Sequence, residues 1–163
     1  MNFPITATSR PASSHIGLPF LVFNEGYLAT GPGTDHVRHD LTAEATRLTR
    51  LIRALMPEDG EAAGLLALML LTEARGTARV SASGELVALS EQDRGAWDAE
   101  LIAEGHCMVR ERLAVGLAPG RYQVLAAIRA VHTSPFTPYA GRSPRGRPSA
   151  GQPRCSQSPS GAG

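Results

Sequence analysis

Residues 65–71 read Leu65-Leu66-Ala67-Leu68-Met69-Leu70-Leu71, an unbroken apolar run that stops at Thr72-Glu73. A helix turns by about 100° per residue, so this run covers its whole circumference and leaves no face for water. Such a helix belongs at the centre of a bundle, surrounded by other helices. The run is far shorter than the roughly 20 apolar residues that cross a bilayer, so it is read as core and not as a membrane span. The central helix is expected from about Asp59 to Ala78, and the fold class is all-α.

The flanking segments supply the surrounding helices. Upstream, Leu41, Ala45, Leu48, Ile52 and Leu55 form one stripe at alternating spacings of four and three, with Asp40 placed as an N-cap and Pro57 ending the segment. Downstream, Arg79 to Leu89 places Val80, Leu86, Val87 and Leu89 around Ser83-Gly84, which predicts a short hairpin or extended loop. Ser90 and Asp93 have the spacing of a capping pair, and a short turn of helix is expected before Trp97. Trp97, Leu101, Ile102, Met108, Val109 and Leu113 then share a face up to Gly116. Pro119-Gly120 opens a last helix carrying Tyr122, Leu125, Ile128 and Val131. Four principal helices in antiparallel hairpins bury these stripes most simply.

The ends of the chain differ from this middle. At 163 residues the chain suits one domain. Residues 1–20, broken by Pro4, Pro11 and Pro19, read as an unstructured leader that is not a signal peptide. The helical domain is assigned to 21–133. Every Asp and Glu lies between Glu25 and Glu111, and residues 134–163 hold six Pro, five Gly and six Ser with no acid. That tail cannot form a core and is expected to be disordered. All 16 basic residues are Arg, nearly matched by 15 acids, so bulk charge does not favour nucleic acid or anionic membrane. Cys107 and Cys155 make no metal or disulfide framework pattern, and a soluble, cytoplasmic protein with Cys107 as buried filler is expected.

Few segments carry chemistry. His36-x-x-His39 beside Asp35 and Asp40 offers metal-ligand types, but on a loop nothing fixes them together, and no metal or cofactor is assigned. Gly31-Pro32-Gly33 lacks the spacing of a phosphate cradle. No nucleophile elbow, HExxH or catalytic carboxylate pair occurs, so no catalytic residue is assigned and the chain is not read as an enzyme. Three polar groupings remain: Phe23-Asn24-Glu25-Gly26-Tyr27; Arg75 with Arg79; and Gln92-Asp93-Arg94 before Trp97-Asp98. They either fix helix ends and loops through ion pairs and amide hydrogen bonds or line a pocket. If they are structural, the carboxylates should be matched to arginines such as Arg47, Arg75, Arg79 or Arg94. A hydrolytic or small-molecule-binding domain would instead bring Glu25, Asp93 and Asp98 together.

At these groupings the chain resembles the C-terminal extension of bacterial extracytoplasmic-function (ECF) RNA polymerase sigma factors. The resemblance covers Leu21 to about His132 and includes Asp40-Leu41, Glu44-Ala45, Arg47-Leu48, the apolar run with Ala74-Arg75 and Ala78-Arg79, and Tyr122-Gln123. It implies a tetratricopeptide-like helical module that regulates transcription initiation by contacting the sigma DNA-binding domains or RNA polymerase. It also implies an interaction or structural network of Asn24, Glu25, Tyr27, Glu44, Arg47, Arg75, Arg79, Asp93, Arg94, Trp97 and Asp98. In that family two DNA-binding domains precede the extension, and an acidic, Trp-containing stretch follows it. The expectation is therefore a fragment whose tail is what an out-of-frame reading would produce, with no specific DNA binding by this chain alone and no membrane partner.

Overall fold

A computed structural model describes residues 14–28, 37–83 and 85–134. It contains five α-helices: α1 (Ser14–Leu28), α2 (Val37–Leu55), α3 (Gly60–Glu73), α4 (Ala99–Ala114) and α5 (Arg121–Thr133). Two 3₁₀ turns, Gly76–Ala78 and Arg94–Ala96, lie between α3 and α4. The class is all-α, as expected, and α3 is the central helix that its apolar run requires. Every residue from Ala62 to Thr72 is buried, and α3 packs against all four other helices. Asp59 starts it by accepting from the N–H groups of Glu61 and Ala62 at 2.9 and 3.4 Å. The expected hairpin loop is present as one antiparallel bridge between Val80 and Leu86.

Several expectations need correction. Residues 14–20 are not an unstructured leader: they open α1, and Ile16 in that stretch is 1% exposed. Pro19 misleads because it reads as a helix breaker, yet it stands inside α1, where its ring faces the His15 carbonyl and the bond back to it is lost. Among the described residues there are thus five principal helices, not four. Asp40 does not precede α2 but sits in its first turn, favourably placed in the helix dipole. Asp93 is the N-cap of the 3₁₀ turn and Asp98 that of α4, so Ser90 starts neither. Cys107 is half-buried on α4, not fully buried filler. Cys155, His36, Asp35, residues 1–13 and the tail beyond Ser134 lie outside the described residues.

The buried faces of α2 and α5 are rotated from the stripes of large residues. On α2 the fully buried positions are Thr42, Ala45 and Thr49, while Leu55 is 82% exposed. Thr49 can be buried because its hydroxyl donates to the Ala45 carbonyl at 2.7 Å. On α5 the buried line is Tyr122, Ala126, Ala130 and Thr133, and Val131 is 74% exposed. Small residues face α3 there because the two backbones come very close. A Cβ built on Gly64 would lie 2.5 Å from the Gln123 backbone nitrogen. Glu61, in the first turn of α3, accepts from the N–H groups of Tyr122 and Gln123 at 3.2 and 3.3 Å, supplying the cap that Gly120 lacks.

At the other end of the α4–α5 pair, His106 Nε2 and Thr133 Oγ1 are 2.9 Å apart. Burial, and then the Arg110 charge, hold the His106 pKa below its ordinary 6.5. The folded state therefore favours neutral His106. Its contribution is present above the unfolded pKa and is lost as pH falls below about 6.5 through the lower folded value. The melting temperature should drop over that range, and His106→Gln should flatten the drop; an unchanged profile in the variant would contradict this. Glycine substitutions should act with opposite signs. Gly64→Ala forces α5 away and should cost about 1–3 kcal/mol. Gly17→Ala, with nothing within 4 Å of the new Cβ, should raise stability by up to about 1 kcal/mol. Urea unfolding measures both.

Candidate functional site

The C-terminal end of α3 is where the three polar groupings meet. Arg75 follows directly on the helix, with its cation beside the negative end of the helix dipole. It is only 5% exposed, yet its partner is neutral: Nε donates to Gln92 Oε1 at 3.2 Å. Gln92 in turn donates from Nε2 to the Val87 carbonyl at 3.0 Å, which ties the hairpin-like loop to the same point. Among the described residues, Arg75 Nη1 and Trp97 Nε1 are buried without a hydrogen-bond partner.

Trp97 is 8% exposed and forms the centre of a cationic layer. The guanidinium carbons of Arg75 and Arg94 lie 5.6 and 4.9 Å from its ring centroid, within cation–π range. Arg94 also donates to the Ser134 carbonyl at 3.0 Å, reaching the end of α5. Two more bonds hold the Gln92–Asp98 loop against α3: Asp98 N donates to the Ala74 carbonyl, and Thr77 Oγ1 to the Ala96 carbonyl, both at 2.8 Å. From α1, Tyr27 stacks on Phe23 and lies under Arg79, whose guanidinium carbon is 3.8 Å from the ring centroid. Arg79 Nη1 donates to the Tyr27 carbonyl at 2.5 Å. The arrangement therefore joins α1, the end of α3, the loop and the end of α5.

Charge in this junction is one-sided. Burial is the main influence pushing the Arg75 pKa below its usual value; Tyr27 opposes the shift, and Arg129, Arg79 and Arg94 add to it. No carboxylate acts on Arg75. The expected matching of carboxylates to arginines holds for Glu44 and Arg47, paired at 2.7 Å through both oxygens on exposed α2. It fails for Arg75 and Arg94, which are held by an amide and a carbonyl. Asp93 accepts from Gly95 N–H, and Asp98 from Glu100 and Leu101 N–H, so both act as helix caps. Glu25 is exposed on α1 and Asn24 half-buried. Glu25, Asp93 and Asp98 share no hydrogen bond among the described residues. Among these residues no group of three His, Cys, Asp or Glu could hold a metal ion, and His39 lies 3.9 Å from Glu73.

The sequence does not mark Gln92 as a bridging residue, nor Arg129 or Thr72 as site residues. Gln92 could have been found by its place in Gln92-Asp93-Arg94. Arg129 gave no signal, because only the packing of α5 on α3 brings it near Arg75.

Trp97→Ala should cost about 3–5 kcal/mol, since a large buried ring is removed with its cationic neighbours. Asp98→Ala should cost about 0.5–2 kcal/mol, whereas Asp98→Asn, which caps equally well, should be near neutral. Urea unfolding checks the series; equal losses for the two Asp98 variants would show that its charge matters beyond capping.

Residues 18–113 match a family of unknown function, DUF6596. An uncharacterized protein of Rhizobium meliloti (strain 1021) is 44% identical over 113 residues, covering 69% of this chain and 26% of that protein. No solved structure matches the chain. No helix among the described residues is long and apolar enough to cross a membrane. With more than half of its length matched by the family, the chain belongs to DUF6596.

Proposed function

We propose that this chain is a regulatory, protein-interaction module of an ECF-type RNA polymerase sigma factor. It acts in the cytoplasm on transcription initiation, by contact and not by catalysis, and its partners are the sigma DNA-binding domains or RNA polymerase. The observation that carries the reading is the convergence of the three groupings on which the sigma-factor resemblance rests. They meet in one arginine-rich junction around Trp97 whose hydrogen-bond partners are largely neutral. Arg94 is exposed at this junction, and arginine is among the side chains that most often dominate protein interfaces. The matching segment of the R. meliloti relative sits within a much longer chain, as a module would.

Autonomous DNA binding receives less support. Arg47, Arg50 and Arg53 line up on α2, but Glu44, Glu104 and Glu111 lie within 2.5–3.8 Å of them and offset their charge. The hydrolytic alternative built on Glu25, Asp93 and Asp98 is not favoured either, because two of these carboxylates are occupied as caps.

The test is titration of the 163-residue chain with recombinant DNA-binding domains of a related sigma factor, read by the fluorescence of its single tryptophan. Binding is expected on the order of 10 µM, because modules mixed in solution lack the effective concentration, of order mM, of a linked pair. Arg94→Glu should weaken it about tenfold. A promoter-DNA shift assay at about 150 mM salt should show no specific complex. Sequence-specific DNA binding, or no contact with either sigma domains or polymerase, would overturn the proposal.

A further inference from the structure

A cavity of about 350 Å³ lies between α1, α3 and α5, next to the arginine junction but separate from the Trp97 loop. Phe20 and Phe23 of α1, Leu68 of α3, and Leu125 and Ile128 of α5 form apolar walls. Asn24, Thr72, Arg129 and His132 bring polar groups to the same space, and no Asp or Glu lines it. This is the make-up of a small-molecule site, mostly apolar with a few convergent polar groups, at the small end of the usual size range.

The polar groups are uncommitted. Among the described residues, the side chains of Asn24, Thr72 and Arg129 have no hydrogen-bond or ion-pair partner. Thr72 is only 4% exposed as a residue, and its side chain lines the cavity. The buried threonines on α2 and α5 show the contrast, since Thr49 and Thr133 both donate to backbone carbonyls one turn back. Thr72 faces the cavity instead. Arg129 adds its charge to the field that Arg75 experiences, and no carboxylate answers it there. The site is therefore electropositive, with one guanidinium fork and two neutral polar groups. A planar carboxylate matches the fork. A phosphate dianion calls for more positive charge than one free fork provides, and neighbouring Arg79 is engaged with Tyr27.

We propose that this cavity binds a small organic carboxylate with an apolar, ring-sized body. Arg129 pairs with the carboxylate, Thr72 and Asn24 donate to its oxygens, and the body lies between the two phenylalanines and α5. The inference is independent of the transcription reading: it concerns a ligand site, which a contact module or any other helical domain could carry.

The test uses 2-naphthoate as probe and 2-naphthamide as its neutral counterpart, titrated calorimetrically into the full chain. Binding of 2-naphthoate is expected at one site, with a dissociation constant on the order of 0.1–1 mM for a ligand of this size. The amide should bind at least tenfold more weakly. Arg129→Gln should weaken 2-naphthoate at least tenfold while leaving the amide unaffected, and Thr72→Val should weaken it several-fold. Circular dichroism confirms that each variant is folded, and amide chemical-shift changes should concentrate in α1 and α5. Equal binding of acid and amide, unchanged affinity in both folded variants, or no binding up to about 5 mM would each overturn the proposal.

Discussion

A helix without a polar face cannot touch water along any side, and this one constraint on α3 organises the molecule. Four other helices must cover it, and each contact competes for a narrow circumference. The solution is close approach through small residues. Gly64 lets the α5 backbone come against α3, and Gly105 lets α4 settle over Leu71, whose Cγ would lie 2.6 Å from a Cβ at that position. Close packing of this kind leaves little tolerance for added volume.

Burying α3 also determines where its ends lie and what they do. At the N-terminal end, Glu61 reaches across to cap α5, so one carboxylate joins the start of the central helix to the start of the last. At the C-terminal end, the carbonyl dipole favours a cation, and Arg75 takes that place. Because Arg75 is buried with an amide partner in place of a carboxylate, its charge is expressed toward its surroundings. The loop, Trp97 and Arg94 gather there, and α1 contributes Tyr27 beneath Arg79. At this end of the bundle Arg94 is exposed on the loop, and Arg129 lines the cavity between α1 and α5.

Much of the molecule is legible in order along the chain, for definite reasons. The apolar run of α3, Asp59 before it, Pro57 between α2 and α3, and Pro119-Gly120 before α5 are local signals acting within one helical turn. The same is true of the Arg79–Leu89 loop, whose Val80 and Leu86 form the bridge. α1 escaped because Pro19 reads as an interruption, and because Leu18 and Leu21, at 68% and 65% exposure, blur the line of Ile16, Phe23 and Tyr27. The three polar groupings were visible as unusual residue types. Their convergence was not, since residues 27, 75, 79, 92 and 97 meet only after α3 is packed.

The sequence by itself determined the helical class, the central helix and most helix boundaries, because periodicity and capping are properties of neighbouring residues. Only the tertiary structure decided which face of each outer helix turns inward. On α2 and α5 that face is Thr42, Ala45 and Thr49, and Ala126 and Ala130, not the longer aliphatic stripes. Hydrophobicity alone favours the large residues, but on α5 the backbone lies so close to Gly64 of α3 that small side chains fill most of the contact. The same packing decided the site, bringing Arg129 near Arg75 and turning Thr72 toward the α1–α5 cavity through contacts between residues more than fifty positions apart.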